Sequence, residues 1–516
     1  MTLFLQTLKT NKATFKRPLF SLQLSLLAPA VVVAGISLSS NLQAATVNMP
    51  DGEHGNKDVD ISQPIAALDK LTSLQHSEKL DMKLPEFQRF TTSNGVPVLF
   101  FQTNQLPIVD VDLRFNAGSA RDESIRKGGF GLASLVASQL TKGTKQLDET
   151  QFATATEQLG IELTSSAYKD QFLIRLRSLS DSKQLNPALQ LMNTVINEPR
   201  FDPQVLKRSQ AQQILGLKQM LQNPAYIAST TFSEHLYGNH PYAHSSYGTV
   251  DSVGLLSTAD LKKFHDTYLV ANNASLSLTG DLSLAEAKQV AETLTKDLPL
   301  GKPAPKLPSP TPLQASQWVH VDFDSDQTSV IIGQQGYRVL SDPASIEKST
   351  QFAIGNDVLA GSGFHSRLMG KVRKELGYTY GIYGSMTPMQ VNGPYSIRFS
   401  SRNEVADDAI KATLDTVTRT LTEGISKEEF ELTKESLVNS YPMGFSSNAG
   451  INGMLGMLNF NKLPDNYITG YIDRVENTSL PQVNETLKQT LTPNKFLIVT
   501  VGKPKIAEDS PLKKLQ

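Results

Sequence analysis

Residues 128–144, GGFGLASLVASQLTKGT, are the stretch on which the reading of this chain turns. Leu132, Leu135, Val136 and Leu140 fall at i, i+3, i+4 and i+8, which is one face of a helix. A glycine pair opens the segment, and Lys142-Gly143-Thr144 closes it, glycine being common just past a helix end. Periodicity alone predicts a buried helix and no chemistry. On its N-terminal side, Val109–Phe115 alternates with period two and predicts a half-buried strand. Before that, two β-rich runs joined by Asn94-Gly95 predict a hairpin. On its C-terminal side the pattern predicts a helix at Glu149–Leu159 and strands near Ile161–Ser166 and Phe172–Ser178. Two long helices around Pro199 and Pro203 follow, then a helix at Leu261–Tyr268, a strand from Ala274 and a helix at Ser283–Leu294.

At 516 residues the chain is long enough for several domains, and a formal charge of −1 with no basic, aromatic-interleaved cluster excludes nucleic acid as a partner. The absence of cysteine excludes disulfides, thiolate catalysis, cysteine zinc sites and lipid attachment through sulfur. Lys9, Lys12, Lys16 and Arg17 precede an apolar run from Leu19 to Leu38, and small residues arrive at Ala44 and Ala45. That order predicts an export signal over residues 1–44 and a periplasmic protein with no membrane span after its removal. An uncleaved membrane anchor is the alternative. Residues 45–84 read as a polar extension with one short helix near Ile65–Leu74.

Residues 300–312 hold five prolines and predict a stiff linker over 300–315, separating domains at 85–299 and 316–516. The second part echoes the first. A helix–turn–helix through Ala188, Val195 and Phe201-Asp-Pro is matched through Ala409, Val417 and Ile425-Ser-Lys. The strand at Asn273-Ala-Ser-Leu-Ser-Leu-Thr-Gly is matched by Asn494-Lys-Phe-Leu-Ile-Val-Thr-Val-Gly. Two divergent copies of one α+β unit account for this.

The frame G-L-A-x-L-x-x-x-x-L-x-K-G-T at 131–144 resembles the first helix of the pitrilysin/insulinase metallopeptidases, relatives of the mitochondrial processing peptidase. The resemblance covers about residues 86–505 and implies two homologous α/β-roll domains forming a half-shell. In that family the helix carries His-x-x-Glu-His, two zinc ligands one turn apart and the glutamate that activates the metal-bound water. Those positions here are Ser134, Ala137 and Ser138. Hydroxyls are poor zinc ligands beside imidazole, and alanine moves no proton. Counting on by the family's spacing, the third ligand falls near Leu215, yet no Asp, Glu or His occurs between Pro203 and Ser233. No metal or catalytic residue is therefore expected in this chain. His235, His240 and His244 are the best substitutes, but Gly238 and Pro241 predict a turn there, and His265 and His365 stand alone.

A second resemblance lies at 361–381, GSGFHSRLMGKVRKELGYTYG, which is similar to the family's C-terminal signature. Arg373 and Tyr380 have the spacing of the pair that binds the substrate backbone across from the zinc. A guanidinium and a phenol can donate to peptide carbonyls and to a developing oxyanion. A structural alternative packs Arg373 on Glu375 or a neighbouring carboxylate and places Tyr378 and Tyr380 in the core. The resemblance as a whole implies a non-hydrolytic, substrate-binding subunit of a heterodimeric zinc peptidase acting on peptides or unfolded protein. Its zinc-bearing sister subunit would carry the intact His-x-x-Glu-His. A peptide-binding scaffold that works without a protease is the alternative.

Overall fold

The computed structural model describes residues 86–361 and 363–515. The expected export signal, the polar extension and its short helix lie outside the described residues. Among the described residues no helix is long and apolar enough to cross a membrane.

Two sheets organise the chain. The first has the order β1-β2-β6-β3-β5-β4, from β1 (Gln88–Thr91), β2 (Pro97–Gln102), β3 (Ile108–Phe115), β4 (Glu162–Ala167), β5 (Phe172–Leu179) and β6 (Ala274–Gly280). The second has the order β7-β11-β8-β10-β9, from β7 (Gln317–Asp322), β8 (Gln327–Gln335), β9 (Thr379–Met386), β10 (Pro394–Arg402) and β11 (Leu497–Gly502). Without β1 the two orders coincide. In each, the chain's closing strand lies parallel to the first and antiparallel to its other neighbour, as β6 does with β2 and β3 and β11 with β7 and β8. The repeat read from sequence is thus a repeat of topology.

One face of each sheet is buried under helices of its own half. Val109, Val111, Leu113 and Phe115 of β3 meet Leu132, Leu135, Val136 and Leu140 in the first core. Ile332, Ile397 and Phe399 meet Phe352, Val372 and Val417 in the second. The helix of residues 132–140 spans Leu132–Leu140 as its periodicity requires, and the hairpin turns at Gly95 with φ +78°. Such a φ is open to glycine at little cost.

The opposite faces are covered crosswise. Helix Pro224–Tyr237, from the first half, lies on the second sheet, with Ala228, Phe232 and Leu236 against Ile331, Leu497, Val499 and Val501. Helix Asn448–Phe460, from the second half, lies on the first sheet. Its Asn459 Nδ2 donates to the carbonyls of Pro97 and Leu276, both at 2.9 Å. The Asn452 carbonyl and side-chain oxygens accept from Ser277 and Thr279. This exchange corrects one expectation. β3 is buried on both faces, because Asp110, Asp112 and Arg114 lie under or beside a helix more than three hundred residues downstream.

Candidate functional site

The helix Leu132–Leu140 starts from Gly131, at φ +91°. Its first turn is capped from a distance: the Asp122 carboxylate accepts from the N–H groups of Gly131, Leu132 and Ala133 at 2.8, 3.1 and 3.0 Å. These are donors that a helix start leaves free. Burial pushes the Asp122 carboxyl up, against the pull of the three N–H groups and of nearby Lys169.

Ser134 and Ser138 are half-buried one turn apart, and Ala137 between them is buried. The Ser138 hydroxyl donates back to the Leu135 carbonyl at 2.9 Å, and Ser165 of edge strand β4 donates to the Ala137 carbonyl. The facing helix, Pro203–Met220, presents amides instead of carboxylates. Gln139 reaches across to Ser209 at 2.8 Å. Gln210 donates to the carbonyls of Val253 and Leu256, and Gln213 to that of Tyr247. Leu215 itself is 57% exposed and turned away. These residues do not fit zinc: two hydroxyls, a methyl group and a solvent-facing leucine stand where two imidazoles and two carboxylates are needed. Among the described residues no group of three or more His, Cys, Asp or Glu is placed to hold a metal.

The histidines do not gather. His240 accepts from the Tyr242 N–H and bonds the Pro308 carbonyl at 2.9 Å, tying the proline-rich segment down. His244 stacks on Phe130 with centroids 3.6 Å apart, and burial lowers its pKa. His265 bridges the Ile196 carbonyl and Asp266, while His235 and His365 are exposed. Residues 241–243 form a single tight turn, as Gly238 and Pro241 required.

Arg373 sits in a wide π-helical turn, Met369–Glu375, where the Leu376 N–H reaches back five residues to the Lys371 carbonyl. Such turns are rare and recur at functional sites. Arg367 anchors the segment through two 2.7 Å bonds to Glu429, which it holds down at a pKa of about 2. Lys371 takes Glu375 as its partner, so Arg373 does not. The Arg373 guanidinium lies 4.7 Å from the centroid of the exposed Phe364 ring, with no carboxylate bound. Gly377, at φ +63°, then turns the chain into edge strand β9. Pairing of β9 with β10 slips between Phe399 and Ser401, where Thr379 Oγ1 donates to the Ser400 carbonyl at 2.7 Å. Slips of this kind re-aim side chains. Tyr380 emerges 85% exposed, and Tyr378 packs against the second core. The packed alternative therefore fails for Arg373 and Tyr380 and holds for Tyr378. No hydrogen bond or ion pair joins Arg373 or Tyr380 to Ser134, Ala137 or Ser138.

The insulinase (M16) peptidase family profile matches residues 98–250, and that of the M16 peptidase inactive domain matches residues 256–437. A solved structure from Pseudomonas fluorescens, described as a peptidase M16 inactive domain, superposes with a TM-score of 0.77. It is 34% identical and covers 82% of this chain and 99% of its own. The chain belongs to the M16 peptidase family. Among other relatives of this M16 homologue is a Helicobacter pylori protein described as a non-peptidase homologue. It is 24% identical, over 80% of this chain and 92% of its own length. A Bacillus subtilis protein described as an uncharacterised zinc protease is 22% identical, over 70% and 85%. The M16 homologue described here lacks the metal-binding residues of its family's active helix.

Proposed function

We propose that this M16 homologue is the substrate-binding, non-hydrolytic subunit of a heterodimeric periplasmic zinc peptidase acting on peptides or unfolded protein. The zinc-bearing sister subunit, with intact His-x-x-Glu-His, faces it, and the two sheets supply half of the chamber wall. The observation that carries the reading is the condition of Tyr380 and Arg373. One half of the site has lost every ligand, while the other presents an exposed phenol and a guanidinium free of any carboxylate. Tyr380 stands in solvent, and the half-buried Arg373 rests on the Phe364 ring alone. The name of the Helicobacter pylori relative, a non-peptidase homologue, supports the same reading.

The test uses the complex purified with the sister chain. Tyr380→Phe is expected to lower kcat by about 10²–10³, the cost of one lost oxyanion donor. Arg373→Lys is expected to be damaging as well, because a point charge does not replace a planar fork. Both variants are expected to keep the parent's melting temperature and its affinity for the sister. Full peptide turnover by the double variant Arg373→Ala/Tyr380→Phe would leave the chain a scaffold only.

A further inference from the structure

Arg398 of β10 is a second arginine without a carboxylate. Its Nε donates to Ser396 Oγ at 3.1 Å and its Nη1 to Ser229 Oγ at 2.5 Å, across on helix Pro224–Tyr237. No ion pair reaches it; the residue is exposed, and the protein packed around its guanidinium lowers its pKa. The matching strand of the first sheet behaves differently. On β5, Arg175 and Arg177 hold Asp112 and Asp110 of β3 at 3.2 and 2.8 Å. The first sheet neutralises these two arginines, whereas Arg398 meets only hydroxyls. Within the chain the guanidinium meets only two hydroxyls and no counter-charge. What the two serines do is fix the fork: with Nε and Nη1 engaged, both hydrogens of Nη2 and one of Nη1 remain without an acceptor. Those remaining hydrogens can donate to a carboxylate.

The position of Arg398 narrows the ligand. It pairs across the ladder with Tyr383 of edge strand β9, which is 45% exposed. Helix Pro224–Tyr237 lies over β11 and β8, so the margin formed by β10 and β9 stays open beyond it. Tyr380 lies three residues before Tyr383, and because three residues of β9 oppose two of β10 over the slip, the two are roughly 7–10 Å apart along the strand at about 3.3 Å per residue.

We propose that Arg398, oriented by Ser229 and Ser396, is a carboxylate-binding site that selects peptides with an acidic group about three residues from the segment held at Tyr380. The site rests on the peptide-binding reading above and adds a preference to it. The acidic group is either a Glu or Asp side chain or the peptide's own C-terminus.

Three short, N-terminally labelled peptides of one neutral sequence separate the cases by fluorescence anisotropy. One has an internal Glu and an amidated end, one an internal Gln and an amidated end, and one an internal Gln and a free carboxylate. At least one acidic peptide is expected to bind the full chain about 10-fold or more tighter than the neutral one, as loss of a charged hydrogen bond implies. Whichever acidic peptide gains identifies the source of the carboxylate. The advantage is expected to vanish in Arg398→Gln and to shrink in Arg398→Lys and Ser229→Ala, with unchanged melting temperatures. Tyr380→Phe is expected to weaken all three peptides alike. If the peptides bind but ignore both charge and Arg398→Gln, this site is overturned and the peptide-binding reading stands. If none binds either the chain alone or its complex with the zinc-bearing sister, both fall.

Discussion

Ser134 and Ser138 illustrate how a metal site can be lost without loss of the helix that held it. The Asp122 cap, the buried Leu face and the closing glycine are all retained, so the backbone is in place and only the ligands differ. Restoring them locally is not expected to restore function. The triple variant Ser134→His/Ala137→Glu/Ser138→His is expected to show no chelator-sensitive peptide hydrolysis and no stoichiometric zinc by elemental analysis. The third position is vacant of carboxylate, with Leu215 facing solvent and Gln210 and Gln213 tied to backbone carbonyls. At this scale the sequence was informative, because a ligand triplet is local and its absence can be read directly. The glutamines were not legible. Their partners are backbone carbonyls more than thirty residues away, and a Gln-rich helix offers no pattern that names them.

Elements that cover one another across the two halves were the blind spot of the sequence. Val109–Phe115 alternates as a strand with one wet face would, and the strand is there. The helix that dries its polar face is 339 residues further on, and no local pattern announces it. Gly456 marks the closest approach: a Cβ there would lie 2.4 Å from Arg114 Nε, and Arg114 is held by Asp112. Gly456→Ala is expected to destabilise by about 1–3 kcal/mol through overpacking, read as a lower denaturant midpoint at unchanged slope. Gly453→Ala, whose Cβ meets nothing, is expected to be neutral or to stabilise by up to about 1 kcal/mol. The wide turn carrying Arg373 has its own tether in Arg367 and Glu429. Glu429 is depressed from 4.5 to about 2 in the folded state, so its stabilisation is present above pH 4.5 and lost as pH falls towards 2. Glu429→Gln is expected to flatten that acid limb in denaturant midpoints taken across this window.

As a whole molecule, the described chain is two copies of one topology that do not complete themselves. Each sheet takes its second cover from the other half, so neither sheet is covered on both faces until both halves are in place. A single calorimetric transition is expected. A protease nick within residues 301–313, which carry no regular structure, is expected to leave two fragments that co-migrate until denatured. Separation of the fragments in native buffer would contradict the crosswise cover. The topological repeat was legible from echoing helices and closing strands, and the exchange between copies was not, because it leaves no periodic mark.

The crosswise helices also set a clock. Arg114 leaves the ribosome 339 residues before the Gly453 carbonyl it will meet. At roughly 5–20 residues per second that is on the order of 20–70 s. For that interval the nascent first half carries an uncovered polar sheet face and a helix whose Phe232 and Leu236 have no sheet to lie on. Until the second half arrives, that exposed apolar helix face is open to association with other unfinished chains.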